Sequence, residues 1–175
     1  MCQRANRFLL SFQHALTLFL IAWISLWVSY GCQKGLSESE AWAALETRAQ
    51  HETSLTLADE YLQFSEKFPL SEHAPKALLK SAYLIELHGF SATAIERYRK
   101  VIERFPRSVE AAQACFLIGF TYSNVLGDTL KARRAFEAFL KNYPESELVP
   151  SARLELSLIG KSLDDFFKSD SLRSR

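Results

Sequence analysis

Side chains that could perform catalysis or bind a metal are few and widely spaced in this chain of 175 residues. His51, His73 and His88 lie far apart, and none has a carboxylate or cysteine at a metal-ligand spacing such as H-E-x-x-H. The adjacent carboxylates Asp59-Glu60 and Asp164-Asp165 would point in different directions on a helix, which indicates solvated faces and not an acid/base pair. The sequence has no glycine-rich phosphate loop. These observations predict a protein that is not an enzyme and has no cofactor or metal site.

Cys32 is the one residue whose neighbouring sequence indicates a covalent modification. It follows a basic start with Arg4 and Arg7 and an apolar stretch from Phe8 to Val28, which is the layout of a secretory signal. The segment Ser29-Tyr30-Gly31-Cys32 resembles the lipobox of bacterial lipoproteins, in which the cysteine receives a lipid and becomes the first mature residue. The resemblance therefore implies lipidation at Cys32.

A second interpretation of residues 1–31 stays open, because two positions depart from the lipobox. Ser29 stands where leucine is usual, and Tyr30 stands where a small residue is usual. The stretch from Phe8 to Val28 is also about long enough to span roughly 30 Å of hydrocarbon. Residues 1–31 are therefore predicted to be a signal peptide, followed by a lipidated cysteine and short linker in residues 32–36, or an uncleaved membrane anchor.

Both interpretations place the remaining chain on the same side of a membrane. Arg4 and Arg7, with no acidic residue among residues 1–31, hold the N-terminus inside. We therefore expect a protein of the bacterial cell envelope, tethered to a membrane on the periplasmic side. By analogy with bacterial lipoproteins, Gln33 after Cys32 favours the outer membrane.

The charge of the remaining chain argues against a nucleic-acid partner. Without Arg4 and Arg7, 19 of the 21 lysines and arginines remain against 20 aspartates and glutamates, so residues 32–175 have a formal net charge of −1. Basic residues such as Arg97 and Arg99 are interleaved with acidic ones, which favours a solvated helix face with local ion pairs. A near-neutral domain lacks the electrostatic footprint that nucleic acid requires.

An aromatic-Pro step recurs three times and predicts the architecture of the rest of the chain. Successive steps are 37 and 38 residues apart, and each is followed by a serine and then by a stretch rich in Ala and Leu. A repeat of this length with a helical pattern predicts a stacked array of helical hairpins, because one hairpin cannot bury its own apolar face. The steps and their serines are Phe68-Pro69 with Ser71, Phe105-Pro106 with Ser108, and Tyr143-Pro144 with Ser146.

Each repeat is predicted to contain two helices separated by a glycine turn. Ser71 is predicted to cap the first helix of one unit, with Pro75 tolerated in its first turn, and Gly89 is predicted to end it in a left-handed conformation. A second helix then runs from about Ser91 to Phe105, since a residue before proline avoids helical geometry. The next unit follows the same pattern, with its one extra residue placed in the turn from Asn124 to Thr129.

These units resemble tetratricopeptide repeats. The family pattern has a small and an aromatic residue three apart in the first helix, an alanine and an aromatic residue four apart in the second, and then a proline. One unit supplies Gly119 with Tyr122, Ala132 with Phe136, and Pro144; the preceding unit supplies Ala82 with Ile85, Ala94 with Tyr98, and Pro106. The resemblance implies an all-α fold, a right-handed superhelical array of antiparallel helix pairs that binds proteins.

About three to three and a half units are predicted within residues 37–168. Because the unit is longer than the common 34 residues, it also resembles the repeats of outer-membrane-associated bacterial lipoproteins of the barrel-assembly and Tol-Pal coordinator types. The predicted divisions are a divergent repeat (37–70), two clear repeats (71–107 and 108–145), a half repeat with a closing helix that carries Phe166 and Phe167 (146–168), and a flexible tail (169–175).

The groove of such an array is the predicted binding site. First helices of successive units line a concave surface in helical repeat arrays, and aromatic and aliphatic residues bordered by polar ones would suit an amphipathic helix or extended peptide. The alternative is that Phe116, Phe120 and Leu154 pack internally or mediate self-association. The predicted groove set is Lys76, Leu79, Tyr83, Gln113, Phe116, Phe120, Ser151, Leu154 and Leu158.

Overall fold

Residues 36–161 are described by a computed structural model, and every regular element among them is helical, as predicted. The predicted signal or anchor, the predicted lipidation site Cys32, and the predicted closing helix and tail lie outside the described residues. No helix within residues 36–161 has the length and apolarity needed to cross a membrane. The helices are α1 (Glu38–Ala49), α2 (Leu55–Lys67), α3 (Ala74–Leu87), α4 (Ser91–Arg104), α5 (Val109–Phe120), α6 (Thr129–Asn142) and α7 (Val149–Leu158), and a π-helical turn (Thr121–Val125) extends α5.

The second helix of each hairpin ends at the aromatic residue of an aromatic-Pro step, which confirms the predicted helix ends. Phe68, Phe105 and Tyr143 cap α2, α4 and α6, and the backbone amide of each donates to the carbonyl four residues earlier. The following proline cannot continue the helix. The amide of the next serine donates to the carbonyl of the aromatic residue at 2.9 to 3.1 Å, which closes a β-turn. The same turn therefore leads into three successive first helices.

The start of the first helix agrees with the prediction in one unit and differs in another. The hydroxyl of Ser108 accepts a hydrogen bond from the amide of Ala111 at 3.1 Å, so Ser108 caps α5. Ser71 accepts instead from the amide of His73 at 3.0 Å, in a turn that precedes the helix. Because α3 begins only at Ala74, the prediction that Ser71 caps it is wrong.

Proline explains this difference. A cap at Ser71 would put Pro75 where a helical amide must donate to the carbonyl of the cap residue, and proline has no amide proton. The helix therefore begins late enough to place Pro75 in its first turn, where amides have no intrahelical acceptor. Pro150 stands four residues after Ser146 and delays α7 in the same way, whereas Ala112 permits the early start of α5.

The turn inside each clear hairpin contains a glycine with positive φ, as predicted. Gly89 has a φ of 84° and Gly127 a φ of 66°, a conformation that residues with a Cβ atom rarely adopt. The extra residue of the longer unit is accommodated in the π-helical turn, where the amide of Leu126 donates to the carbonyl of Thr121 at 3.0 Å. This turn overlaps the predicted place, Asn124–Thr129, at Asn124 and Val125.

Consecutive helices pack against each other, and α3 also contacts α5, the first helix of the next unit. The core consists of two clusters of buried side chains. One joins α1 to α5 around residues such as Leu57 and Tyr98, and the other joins α5, α6 and α7 around Phe136 and Phe139. Residues 38–161 lie within one compact unit.

Gly119 of α5 lies directly against the ring of Phe136 of the paired helix α6. A Cβ atom at this position would lie 2.8 Å from Cε1 of Phe136, well inside van der Waals contact. Ala82, Ala94 and Ala132, the other small residues of the repeat pattern, are fully buried. The small residues of the repeat pattern therefore lie inside the core.

Candidate functional site

The predicted groove residues occupy three equivalent positions on the first helices. Residues three and four positions apart lie on one face of a helix, so each of α3, α5 and α7 carries three of the groove residues on one face. The three helices together form a row of such faces. In chain order the first position holds Lys76, Gln113 and Ser151, the second holds Leu79, Phe116 and Leu154, and the third holds Tyr83, Phe120 and Leu158.

In α3 and α5, the side chain at the second position is directed partly into the core. Leu79 is half-buried against the first cluster. Phe116 is also half-buried, with its ring centroid 5.5 Å from that of Phe136 and 6.0 Å from that of Phe139. Edge-on contacts between aromatic rings stabilise a core. Phe116 thus contributes to the packing of the α5–α6 hairpin and offers only part of its ring to a partner.

Three apolar side chains of the set remain accessible. Tyr83 is 54% exposed, Phe120 is 39% exposed and Leu154 is 56% exposed. The ring of Phe120 lies 6.4 Å from that of Phe116, so the accessible aromatic surface continues into the core. The border of this surface consists of the exposed polar residues Lys76, Gln113 and Ser151 and the half-buried Leu158.

A cluster of cations around one indole ring, which the sequence analysis missed, lies at the α1 end of the row. The ring of Trp42 stacks on that of His73 at 4.6 Å with an interplanar angle of 7°. The Nζ atoms of Lys76 and Lys80 lie 5.8 and 5.7 Å from the indole centroid, within cation–π range. Lys80 also pairs with Glu46 at 2.5 Å. The cluster joins α1 to α3, so the segment predicted to be a divergent repeat contributes to the same surface.

An open pocket of about 610 Å³ extends the row beside α5 and was also not predicted. It lies between the two aromatic-Pro turns that precede α5 and α7. Val109, Ala112 and Gln113 line one side, and Tyr143 and Leu148 line the other. Gln113 belongs to the groove set, so the pocket adjoins the accessible surface at that residue. A partner side chain of ordinary size fits in this volume.

Two buried tyrosines are held by glutamates, and these polar contacts are structural. The Tyr98 hydroxyl donates to Glu86 at 2.7 Å, and the Thr121 hydroxyl donates to the other carboxylate oxygen of Glu86. The Tyr61 hydroxyl donates to Glu46 at 2.8 Å. Burial, and then the neighbouring carboxylate, raises the pKa of each tyrosine. The tyrosines therefore stay neutral and act as hydrogen-bond donors.

Residues considered for catalysis do not converge in the described part of the chain. Asp59 pairs with Arg97 at 2.8 Å, and Glu60 pairs with Arg48. Burial raises the pKa of the Cys115 thiol to about 11, which disfavours the reactive thiolate. No group of His, Cys, Asp and Glu side chains within residues 36–161 could hold a metal ion.

The helical hairpins correspond to a known repeat family. The tetratricopeptide repeat family model matches residues 76–108 and 113–146, which contain most of the α3–α4 and α5–α6 hairpins. No curated protein matches the chain significantly. Tetratricopeptide repeats generally serve as non-catalytic scaffolds for protein–protein interaction. The match and the stacked hairpins together support a tetratricopeptide-repeat protein.

Proposed function

We propose that this protein is a non-enzymatic scaffold that binds a peptide or a partner protein along its first helices. The observation that carries the proposal is the accessible apolar surface on the first helices, formed by Tyr83 and Phe120 at the third repeat position and Leu154 at the second. These side chains present apolar area that the core of the protein does not use. An amphipathic helix or an extended segment of a partner would bury that area.

The size of the surface indicates one short partner segment. First helices of successive units stand roughly 10 Å apart, so the row from α3 to α7 is roughly 20 Å long. This length corresponds to about 13 residues of helix or about 6 residues of extended chain. The pocket beside Gln113 would hold one side chain of that segment.

Capture of partners from envelope extracts tests the groove. Tyr83→Ser, Phe120→Ser and Leu154→Ser combined should lower the recovery of specific partners about tenfold, since a few anchor contacts carry most binding energy. Leu70→Ser is the control, because this side chain is also exposed but lies at an aromatic-Pro turn, outside both the groove set and the pocket. Identical partner profiles for the triple variant and the wild type, with the fold intact by circular dichroism, would refute the proposal.

We further propose that the scaffold is a bacterial envelope lipoprotein with a role in outer-membrane or cell-envelope assembly. The support is the lipobox-like segment before Cys32 and the likeness of the long unit to repeats of outer-membrane lipoproteins. Labelling with a fatty-acid analogue should disappear in Cys32→Ser. Label that persists in this variant refutes lipidation at Cys32, and unlabelled wild type in the membrane fraction favours an uncleaved anchor in residues 1–31.

A second candidate function is self-association through the same surface. Leu154 favours it, because the equivalent Phe116 packs against its own second helix whereas Leu154 is 56% exposed. A second copy of the chain could cover this side chain. Sedimentation of residues 33–175 should then show a concentration-dependent dimer that Leu154→Ser abolishes. A strict monomer at tens of micromolar contradicts self-association.

A further inference from the structure

A second accessible apolar surface lies at the turns inside the hairpins, at the end of the helices opposite to the aromatic-Pro turns. Leu87 and Phe90 flank the glycine turn between α3 and α4, and Val125, Leu126 and Leu130 flank the turn between α5 and α6. Each of the five side chains is between 48% and 59% exposed. None belongs to the groove set. We call these five residues the turn-edge patch.

The two turns of the patch are neighbours in space. The hydroxyl of Thr121, at the start of the π-helical turn, donates to Glu86, the residue before Leu87. Arg99 of α4 donates to the hydroxyl of Tyr122 at 3.2 Å, and α4 packs against the π-helical turn. The turn-edge patch is therefore one edge of the array and not two separate loops.

The π-helical turn contributes two of the apolar side chains. It accommodates the one residue by which this unit exceeds the preceding unit, and residues inserted in a surface turn need not be apolar for stability. Val125 and Leu126 nevertheless stand exposed immediately before Gly127. Single π-helical turns inside α-helices are frequent at functional sites.

Basic side chains lie behind the apolar tips. Arg133 and Arg134 follow Leu130 by three and four residues, so they lie about 5 Å further along α6. Both are exposed, and neither is within ion-pair distance of a carboxylate in residues 36–161. Asp128 at the tip is paired with Lys131 at 2.9 Å, and Glu137 lies a further turn behind the arginines. The field of Arg134 also reaches Asp128, but residues 128–134 still contain three cations against one carboxylate. The edge therefore presents apolar groups first and net positive charge second.

We propose that the turn-edge patch docks on an anionic lipid surface. The apolar tips would enter the boundary of the acyl chains, and Arg133 and Arg134 would contact headgroup phosphates. Apolar groups followed by basic groups match the order of layers in a bilayer interface. A protruding edge also meets a flat surface directly, whereas a partner helix requires a groove. This contact is independent of the groove and of any tether in residues 1–36.

Vesicle cosedimentation tests this contact with residues 33–175, which contain both core clusters and lack the apolar N-terminal segment. We expect binding to vesicles of equal parts phosphatidylcholine and phosphatidylglycerol that weakens with salt, and little binding to phosphatidylcholine alone. Val125→Ser with Leu126→Ser should lower binding about tenfold, as should Arg133→Gln with Arg134→Gln. Leu70→Ser with Val109→Ser, which removes apolar groups from the opposite edge, should bind like the wild type.

A label at the edge keeps the test informative if a variant unfolds. Leu126→Cys with an environment-sensitive fluorophore should shift its emission to the blue on anionic vesicles, and the same label at Val109→Cys should not. Cys115 is buried with a raised pKa and so should escape labelling.

Three results overturn the proposal. The first is a folded wild type that binds neither vesicle, and the second is equal loss of binding in the Leu70→Ser, Val109→Ser control. The third is dimerisation that depends on Val125 and Leu126 without vesicle binding, which assigns the patch to a second copy of the chain. The groove variant with Phe120→Ser should bind vesicles normally, so this test succeeds or fails independently of the groove.

Discussion

Single side chains show how one repeat position is packed in two ways. Tyr61, Tyr98 and Phe136 occupy the same position in three successive second helices, and all are buried. The two tyrosines need acceptors for their hydroxyls and find them in glutamates of the first helices. Phe136 needs none, and its ring lies instead against Gly119, where no Cβ atom obstructs it. A tyrosine at this position is therefore fixed by a hydrogen bond to a glutamate, and the phenylalanine is fixed by close contact with a glycine.

Gly119→Ala should destabilise the protein. Alanine gains up to about 1 kcal/mol in helix propensity, but the added methyl group would lie 2.8 Å from the buried ring of Phe136, and overpacking of a core costs about 1 to 3 kcal/mol. We expect urea denaturation to show a net loss of about 1 kcal/mol. Phe136→Leu in the same chain should relieve the clash, so the two changes together should cost less than their sum. A stabilised Gly119→Ala variant contradicts this packing.

At the scale of elements, prolines decide where first helices begin and polar side chains decide how neighbouring helices are joined. Pro75 and Pro150 delay the start of α3 and α7, whereas α5 starts directly after its serine. Glu46 of α1 accepts from Tyr61 of α2 and from Lys80 of α3, so one carboxylate joins three helices. Both features can be tested by single substitutions.

Pro75→Ala should extend α3 towards its N-terminus by two residues, to Glu72. The alanine amide could then donate to the carbonyl of Ser71, which proline at this position cannot do because it has no amide proton. Backbone chemical shifts and amide exchange of residues 72–74 measure the change. Pro69→Ala serves as a comparison, because Pro69 lies in the β-turn and not in the helix. An unchanged start at Ala74 contradicts the role given to Pro75.

Acidification should weaken the attachment of α1. Burial acts to raise the pKa of Glu46, but hydrogen bonds from Lys80 and Tyr61 outweigh it, and the pKa lies below its ordinary value of 4.5. A lowered pKa in the folded state contributes stability above the unfolded pKa, and this contribution is lost as the pH falls through the folded pKa. The free energy of unfolding should therefore fall more steeply below pH 4.5 in the wild type than in Glu46→Gln. Parallel pH profiles contradict this prediction.

At the scale of the whole molecule, two core clusters are joined at a narrow seam. Ile102 and Tyr122 are partly buried and pack against both clusters. In a linear array each hairpin contacts only its neighbours, so such seams decide whether the array unfolds in one step.

Ile102→Ala should make unfolding less cooperative. Loss of the shared side chain should cost about 1 to 2 kcal/mol, because Ile102 is only partly buried, and should lower the slope of the urea transition or divide it in two. Ile95→Ala removes an isoleucine of the first cluster alone and should shift the midpoint with little change in slope. A single transition of unchanged slope in Ile102→Ala contradicts a seam at this residue.

Local features were predictable, and exposure was not. The aromatic-Pro turns and Gly89 followed from the stereochemistry of two or three adjacent residues. The Ser71 cap was wrong because the effect of Pro75 is exerted on a hydrogen bond four residues away. The place of Phe116 between groove and core, the cations around Trp42 and the turn-edge patch depend on side chains from neighbouring helices.

The sequence by itself determined the all-α class, the length of the unit, the ends of the second helices and the resemblance to tetratricopeptide repeats. Each of these depends on backbone geometry or on periodicity along the chain, which neighbouring residues encode. Only the tertiary structure decided which apolar side chains remain accessible, because solvent exposure depends on residues about one repeat away. For this reason the structure was needed to show that Tyr83, Phe120 and Leu154 are the accessible apolar residues of the predicted groove set. For the same reason it was needed to reveal the second apolar surface at the hairpin turns.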